Sequence, residues 1–95
     1  DNAYTAHHLG DAHDQLANLL LACKRAGHPD RAFVFGSTSK ISFAGAGVAA
    51  MATSTTNLKW LTQGLGMQTI GPDKLNQLRH VKFFKDMDGI AAHMR

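Results

Sequence analysis

Four apolar residues in succession, Ala32-Phe33-Val34-Phe35, stand between Arg31 and Gly36. Alternating apolar and polar residues mark a strand with one wet face, whereas an unbroken apolar run marks one covered on both. Such a strand needs helices above and below its sheet, so the run points to α/β architecture and away from a helical bundle. Residues 47–52 read as a second buried strand, with Gly45 and Gly47 allowing a tight turn just before it.

Around these strands the spacing predicts helices. Over residues 11–26, Leu16, Leu19, Leu20 and Cys23 recur at three- and four-residue steps and share a face. Lys24 and Arg25 sit where cations complement the helix dipole, Gly27 stops the helix, and Pro29 prevents its continuation. Residues 54–64 read as a second helix, capped by Ser54 or Thr55, with Leu58 and Leu61 on one side and a break at residues 64–67. Pro72 opens a third, running to about Phe84, with Leu75, Leu78 and Val81 or Lys82 as its buried stripe. Residues 86–89 read as a turn, and a fourth helix begins at Ile90. Residues 1–10 are polar and read as a strand end running into a loop, while Phe33, Phe35, Trp60 and Met67 are expected in the core.

Composition narrows the function classes. A chain of 95 residues, 44% hydrophobic and 18% charged, reads as one small globular domain or a piece of a larger one. Its first residue is not Met and its last lies inside an opening helix, which is expected of an interior segment. The net charge of +3 comes from scattered cations, not a polybasic patch, so nucleic-acid binding is not expected. A single Cys excludes a disulfide framework and a Cys-based zinc cluster and suits a reducing, cytoplasmic compartment. Cys23 itself, on the apolar stripe, reads as a small buried hydrophobe. The longest apolar stretches, residues 19–23 and 43–52, fall short of the roughly 20 residues a membrane helix needs. His7, His8 and His13 lie close together without a fixed helical step, so no metal site is expected.

The segment richest in chemistry is Gly36-Ser37-Thr38-Ser39-Lys40. A buried strand delivers a lysine into a turn of hydroxyls and backbone amides, beyond the carboxyl end of a strand, where α/β sheets bind ligands. Hydroxyls and turn amides can hold a phosphate, and a desolvated lysine amine can form a Schiff base. Taken alone, the pentapeptide reads more readily as a solvated loop with a surface lysine. Asp1-Asn2-Ala3-Tyr4 adds weight, because a helical crossover can bring Asp1, Tyr4 and Lys40 to one pocket. A carboxylate, a phenol, a lysine and a phosphate-binding turn match the needs of pyridoxal phosphate.

These residues resemble the fold type I pyridoxal-phosphate aminotransferases. The run from Phe35 to Val48 and the segment Ile70-Gly71-Pro72-Asp73-Lys74-Leu75-Asn76-Gln77-Leu78-Arg79-His80 are similar to one bacterial subgroup, the aspartate aminotransferases classed with the MocR-type aminotransferase domains. The resemblance covers nearly the whole chain. It implies part of the large cofactor-binding domain of a three-layer α/β/α sandwich, residues 1–95 being an interior segment ending at the start of the following helix. Lys40 is then the Schiff-base lysine and proton carrier, Asp1 the partner of the pyridinium nitrogen and Tyr4 that of the ring oxygen. Ser37 holds the phosphate with help from Ser39, and Thr38 points away. Many such relatives carry an arginine eight residues after the lysine, where Val48 stands here. Lys74, Asn76 and Arg79 are candidates for reaching substrate or a neighbouring subunit's site; the alternative is an ordinary solvated helix face.

The resemblance implies transamination between L-aspartate and 2-oxoglutarate, in a homodimer with shared active sites. The alternative from another class is the cofactor-binding effector domain of a MocR-type transcriptional regulator, which an upstream winged helix would reveal. The 95 residues alone are expected to be inactive.

Overall fold

The first two strands form an antiparallel ribbon. In the computed structural model, which describes residues 1–4, 6–12 and 15–95, β1 (Val34–Ser37) pairs with β2 (Ala49–Ala52) in the register Val34↔Ala52 to Ser37↔Ala49. The ladder runs one step further, Thr38 N donating to Val48 O at 2.9 Å. Gly45, at φ +75°, turns the connecting loop, and Gly47 passes so near the Ser39 backbone that a Cβ would sit 2.9 Å from Ser39 N. Between the N-terminal segment and β1 lies α1 (Leu19–Arg25), followed by a single 3-10 turn, Pro29–Arg31.

Helix α1 starts eight residues later than its apolar stripe predicts. Asn18 Oδ1 accepts from Leu21 N and fixes the start there, since a short polar side chain competes with the backbone for the same donors. Of the expected longer helix, His13 and Asp14 lie outside the described residues, as does Thr5. The predicted stop is present: Gly27, at φ +80°, lets Gly27 N reach Lys24 O and His28 N reach Cys23 O, the paired bonds of a Schellman cap.

Three further corrections concern the other helices. Helix α2 (Thr55–Thr69) runs straight through Gly64 and Gly66, where a break was expected. Each glycine costs about 1 kcal/mol against Ala but keeps its N–H in the ladder, and the helix ends instead at Ile70, at φ +60°. Helix α3 (Lys74–Phe84) begins two residues after Pro72 because the Asp73 carboxylate accepts from Asn76 N. Helix α4 (Met87–Met94) includes most of the expected turn, since Asp86 caps it through Gly89 N. The N-cap expected at Ser54 is observed, its hydroxyl accepting from Asn57 N.

The core also differs from expectation. Among the described residues, Ala32 and Phe84 are the buried hydrophobics and His80 the buried polar residue. Phe33 and Phe35 are 39% and 48% exposed, because the described residues leave the faces of the ribbon largely uncovered. Trp60 and Met67 are 72% and 89% exposed. On α3 the inward face is Asn76, His80 and Phe84, at i, i+4 and i+8, and not the stripe Leu75, Leu78 and Val81. The accessible surface is 7935 Å², against about 5,300 Å² for a self-contained protein of this mass. Much apolar surface is therefore left without a partner, although the architecture remains mixed helix and strand, consistent with an α/β fragment. Among the described residues no helix is long and apolar enough to cross a membrane.

Candidate active site

Lys40 follows β1 by three residues, at the exit where the sequence places it. Its side chain is exposed, and its ammonium group makes no hydrogen bond or ion pair with the described residues. On the β1 side of it, Ser37 Oγ donates to Ser39 Oγ at 2.9 Å and accepts from Ser39 N at 3.1 Å. Two hydroxyls and one amide are thus gathered in the residues that lead directly into Lys40. Those donors suit a phosphate, which would replace the bonds they make to one another.

Thr38 turns the other way, as the resemblance implies. Its Oγ1 accepts from Val48 N at 2.8 Å and lies 3.1 Å from His80 Nε2. Ile41 N and Ser42 N both donate to Thr38 O, closing residues 38–42 into a tight turn with Lys40 at its middle. Position 48, where relatives carry an arginine, does lie beside this turn, but valine contributes only its backbone there.

The N-terminal segment lies along β1. Asn2 N donates to Phe35 O at 2.7 Å, and His7 Nε2 donates to Lys40 O at 3.0 Å. Tyr4 is exposed and stands edge-on to His7, ring centroids 5.3 Å apart, so Tyr4 and Lys40 share a neighbour. Asp1 lies further back. Its carboxylate accepts from Ala3 N, and it lines a cleft of about 440 Å³ with Asn2, Leu16, Leu20, Phe33 and Val34; Lys40 does not line that cleft.

The candidates on α3 separate. Asn76 turns inward, donating from Nδ2 to Ala46 O at 2.8 Å and to Gly47 O at 3.3 Å, and so holds the loop after Lys40. Lys74 and Arg79 are exposed. Sequence reasoning passed over His80, which is 7% exposed and touches both Thr38 and Ser42, and His93, whose Nε2 donates to Ile41 O at 2.7 Å. The available signal was the Asn76/His80 pair at helical spacing opposite a turn rich in hydroxyls.

The described residues thus put Lys40 at a strand exit next to a serine turn, with Tyr4 linked to it through His7 and Asp1 in a separate cleft. The sequence profile of the family described as aspartate amino-transferase matches residues 1–95, and the chain belongs to that family. It is 45% identical over 95 residues to the aspartate aminotransferase of Corynebacterium glutamicum and 47% identical to a Mycolicibacterium smegmatis protein provisionally named an aminotransferase. It spans 22% of the length of each. A crystal structure of an aspartate transaminase from Corynebacterium glutamicum superposes with a TM-score of 0.92 at 45% identity, covering 99% of this chain and 22% of that one. A Corynebacterium diphtheriae structure, provisionally assigned as an aminotransferase, gives 0.92 at 44% identity over 99% of this chain and 23% of its own.

Proposed function

We propose that these residues supply the lysine-bearing part of a pyridoxal-phosphate-dependent aminotransferase that exchanges the amino group between L-aspartate and 2-oxoglutarate. The observation that carries the reading is the unpartnered Lys40 amine in the residue directly after the Ser37–Ser39 hydroxyls at the exit of β1. The names of the relatives support aspartate as one substrate, and the family supports the cofactor. The MocR-type subgroup and the three-layer α/β/α large domain belong to the same proposal, as do a cytoplasmic location and a homodimer in which Lys74 and Arg79 face the neighbouring subunit or the substrate. No observation favours the regulator alternative.

When bound, the cofactor supplies an aldehyde for the lysine amine and a protonated ring that takes up electrons from the substrate's α-carbon. Lys40 Nζ would hold it covalently and, when free, would take the proton from the substrate's α-carbon. Ser37 and Ser39 would present hydroxyls to its phosphate. Asp1 would keep its ring nitrogen protonated, and the Tyr4 phenol would donate to its ring oxygen. With valine at position 48, that position would contribute no cation to the phosphate.

In the full-length protein, Lys40→Ala lowers turnover by at least about 10³-fold, within the range a positioned acid/base contributes. Asp1→Asn retains the cofactor but slows proton transfer. Undiminished turnover in Lys40→Ala would refute the reading.

A further inference from the structure

Three histidines from distant segments meet the turn that carries Lys40. His7 and His93 donate to successive carbonyls, those of Lys40 and Ile41. His80 does something different. Its Nδ1 lies 2.8 Å from Asn76 O, and a carbonyl only accepts, so Nδ1 carries the proton and Nε2 is left as an acceptor. Nε2 is 2.6 Å from Ser42 Oγ and 3.1 Å from Thr38 Oγ1; Ser42 Oγ also lies 3.1 Å from Thr38 O and from Thr38 Oγ1, so the contact with Nε2 is the shortest open to its one proton when the ring is neutral. Those hydroxyls stand at the two ends of the 38–42 turn, two residues either side of Lys40. Thr38 Oγ1 in turn accepts from Val48 N, so one buried imidazole ties both ends of the turn and the start of β2 to helix α3.

We propose that His80 is the positioning residue of the Lys40 turn: Nε2, aimed by Asn76 O, accepts the Ser42 hydroxyl proton and fixes the backbone from which the lysine amine projects. The proposal rests on Lys40 being the reacting amine. A displacement of about 1 Å in a reacting group can cost about 10²-fold in rate, so a partial loss of this restraint is visible in kcat. The hydrogen bonds of His80 go to Asn76 O, Ser42 and Thr38 and to neither Lys74 nor Arg79, so KM for the amino donor is spared.

The test uses the full-length protein and three variants. His80→Asn keeps a donor where Nδ1 was and removes the acceptor; His80→Gln places an oxygen acceptor near the position of Nε2. In His80→Asn, kcat per cofactor-loaded subunit falls about tenfold, with KM for the amino donor within about twofold of the parent. Amide exchange at residues 39–42 and 48 of the cofactor-free protein rises about tenfold. His80→Gln recovers at least half of kcat and the slow exchange. Ser42→Ala leaves the histidine in place but also removes the hydroxyl's contacts with Thr38 O and Thr38 Oγ1, so its kcat falls and its exchange rises at least as far as in His80→Asn. Unchanged kcat and exchange in Ser42→Ala, or a His80→Gln as slow as His80→Asn, overturns the proposal. Undiminished activity in Lys40→Ala would remove the reading of Lys40 instead, while the exchange data would still judge the clamp.

Discussion

The turn around Lys40 and helix α2 are built on opposite terms. In the turn, Thr38, Ser42, His80, Asn76 and His93 find hydrogen-bond partners within the chain, some 52 residues away. Helix α2 satisfies its own backbone and its Ser54 cap, yet leaves Trp60, Leu65 and Met67 in solvent. Hydrogen bonds are short-ranged and saturate with a few partners, so a polar turn can find most of them within 95 residues, although His7 Nδ1 and Asn76 Oδ1 are buried without one among the described residues. Apolar burial requires layers on both sides, and a chain spanning 22% of its relatives' length does not contain them.

The same substitution should therefore have opposite signs in the two regions. Gly47→Ala places a Cβ 2.9 Å from Ser39 N and 3.0 Å from Ser39 Cα, backbone atoms that cannot yield without moving the lysine turn. It should destabilise the full-length protein by about 2 kcal/mol, read by denaturant unfolding, and depress turnover as well. Ser54→Ala removes the cap of α2 and should cost about 1 kcal/mol, with turnover per folded molecule unchanged. Gly64→Ala meets nothing within 4 Å and exchanges a poor helix former for the best one, for a gain of up to about 1 kcal/mol. A loss at Gly64 would sharpen the contrast in another way, by showing that a further part of the full-length protein packs against α2. Lys85→Gly should give the smallest effect, a gain of about 0.5 kcal/mol, because Lys85 holds φ +66° at the end of α3.

The features legible in the sequence are those fixed by local chemistry. Gly27 and Ser54 act as terminators through one or two backbone bonds, and the strand–turn–lysine order survives because it is an order along the chain. What misled was the assumption that apolar residues face inward. On α3, Leu75 and Leu78 remain exposed while Asn76 and His80 turn in, because the nearest neighbour is a loop of bare carbonyls and hydroxyls and not a sheet face. Gly64 and Gly66 read as breakers since propensity is weighed residue by residue, whereas a helix of 15 residues shares that penalty among its bonds. Val48 illustrates a middle case. The resemblance to the family pointed to this position, and its backbone does pair with Thr38, but the local pairing does not say whether another group replaces the arginine or the turn itself differs.

The central claim is that the Lys40 amine is the point of covalent attachment for an aldehyde cofactor. Borohydride reduction of the full-length holoprotein, followed by peptide mass spectrometry, tests it most directly. The account predicts a pyridoxyl phosphate mass on the peptide containing Lys40 and none on those containing Lys59 or Lys74; an adduct on another lysine, or no adduct at all, would contradict it.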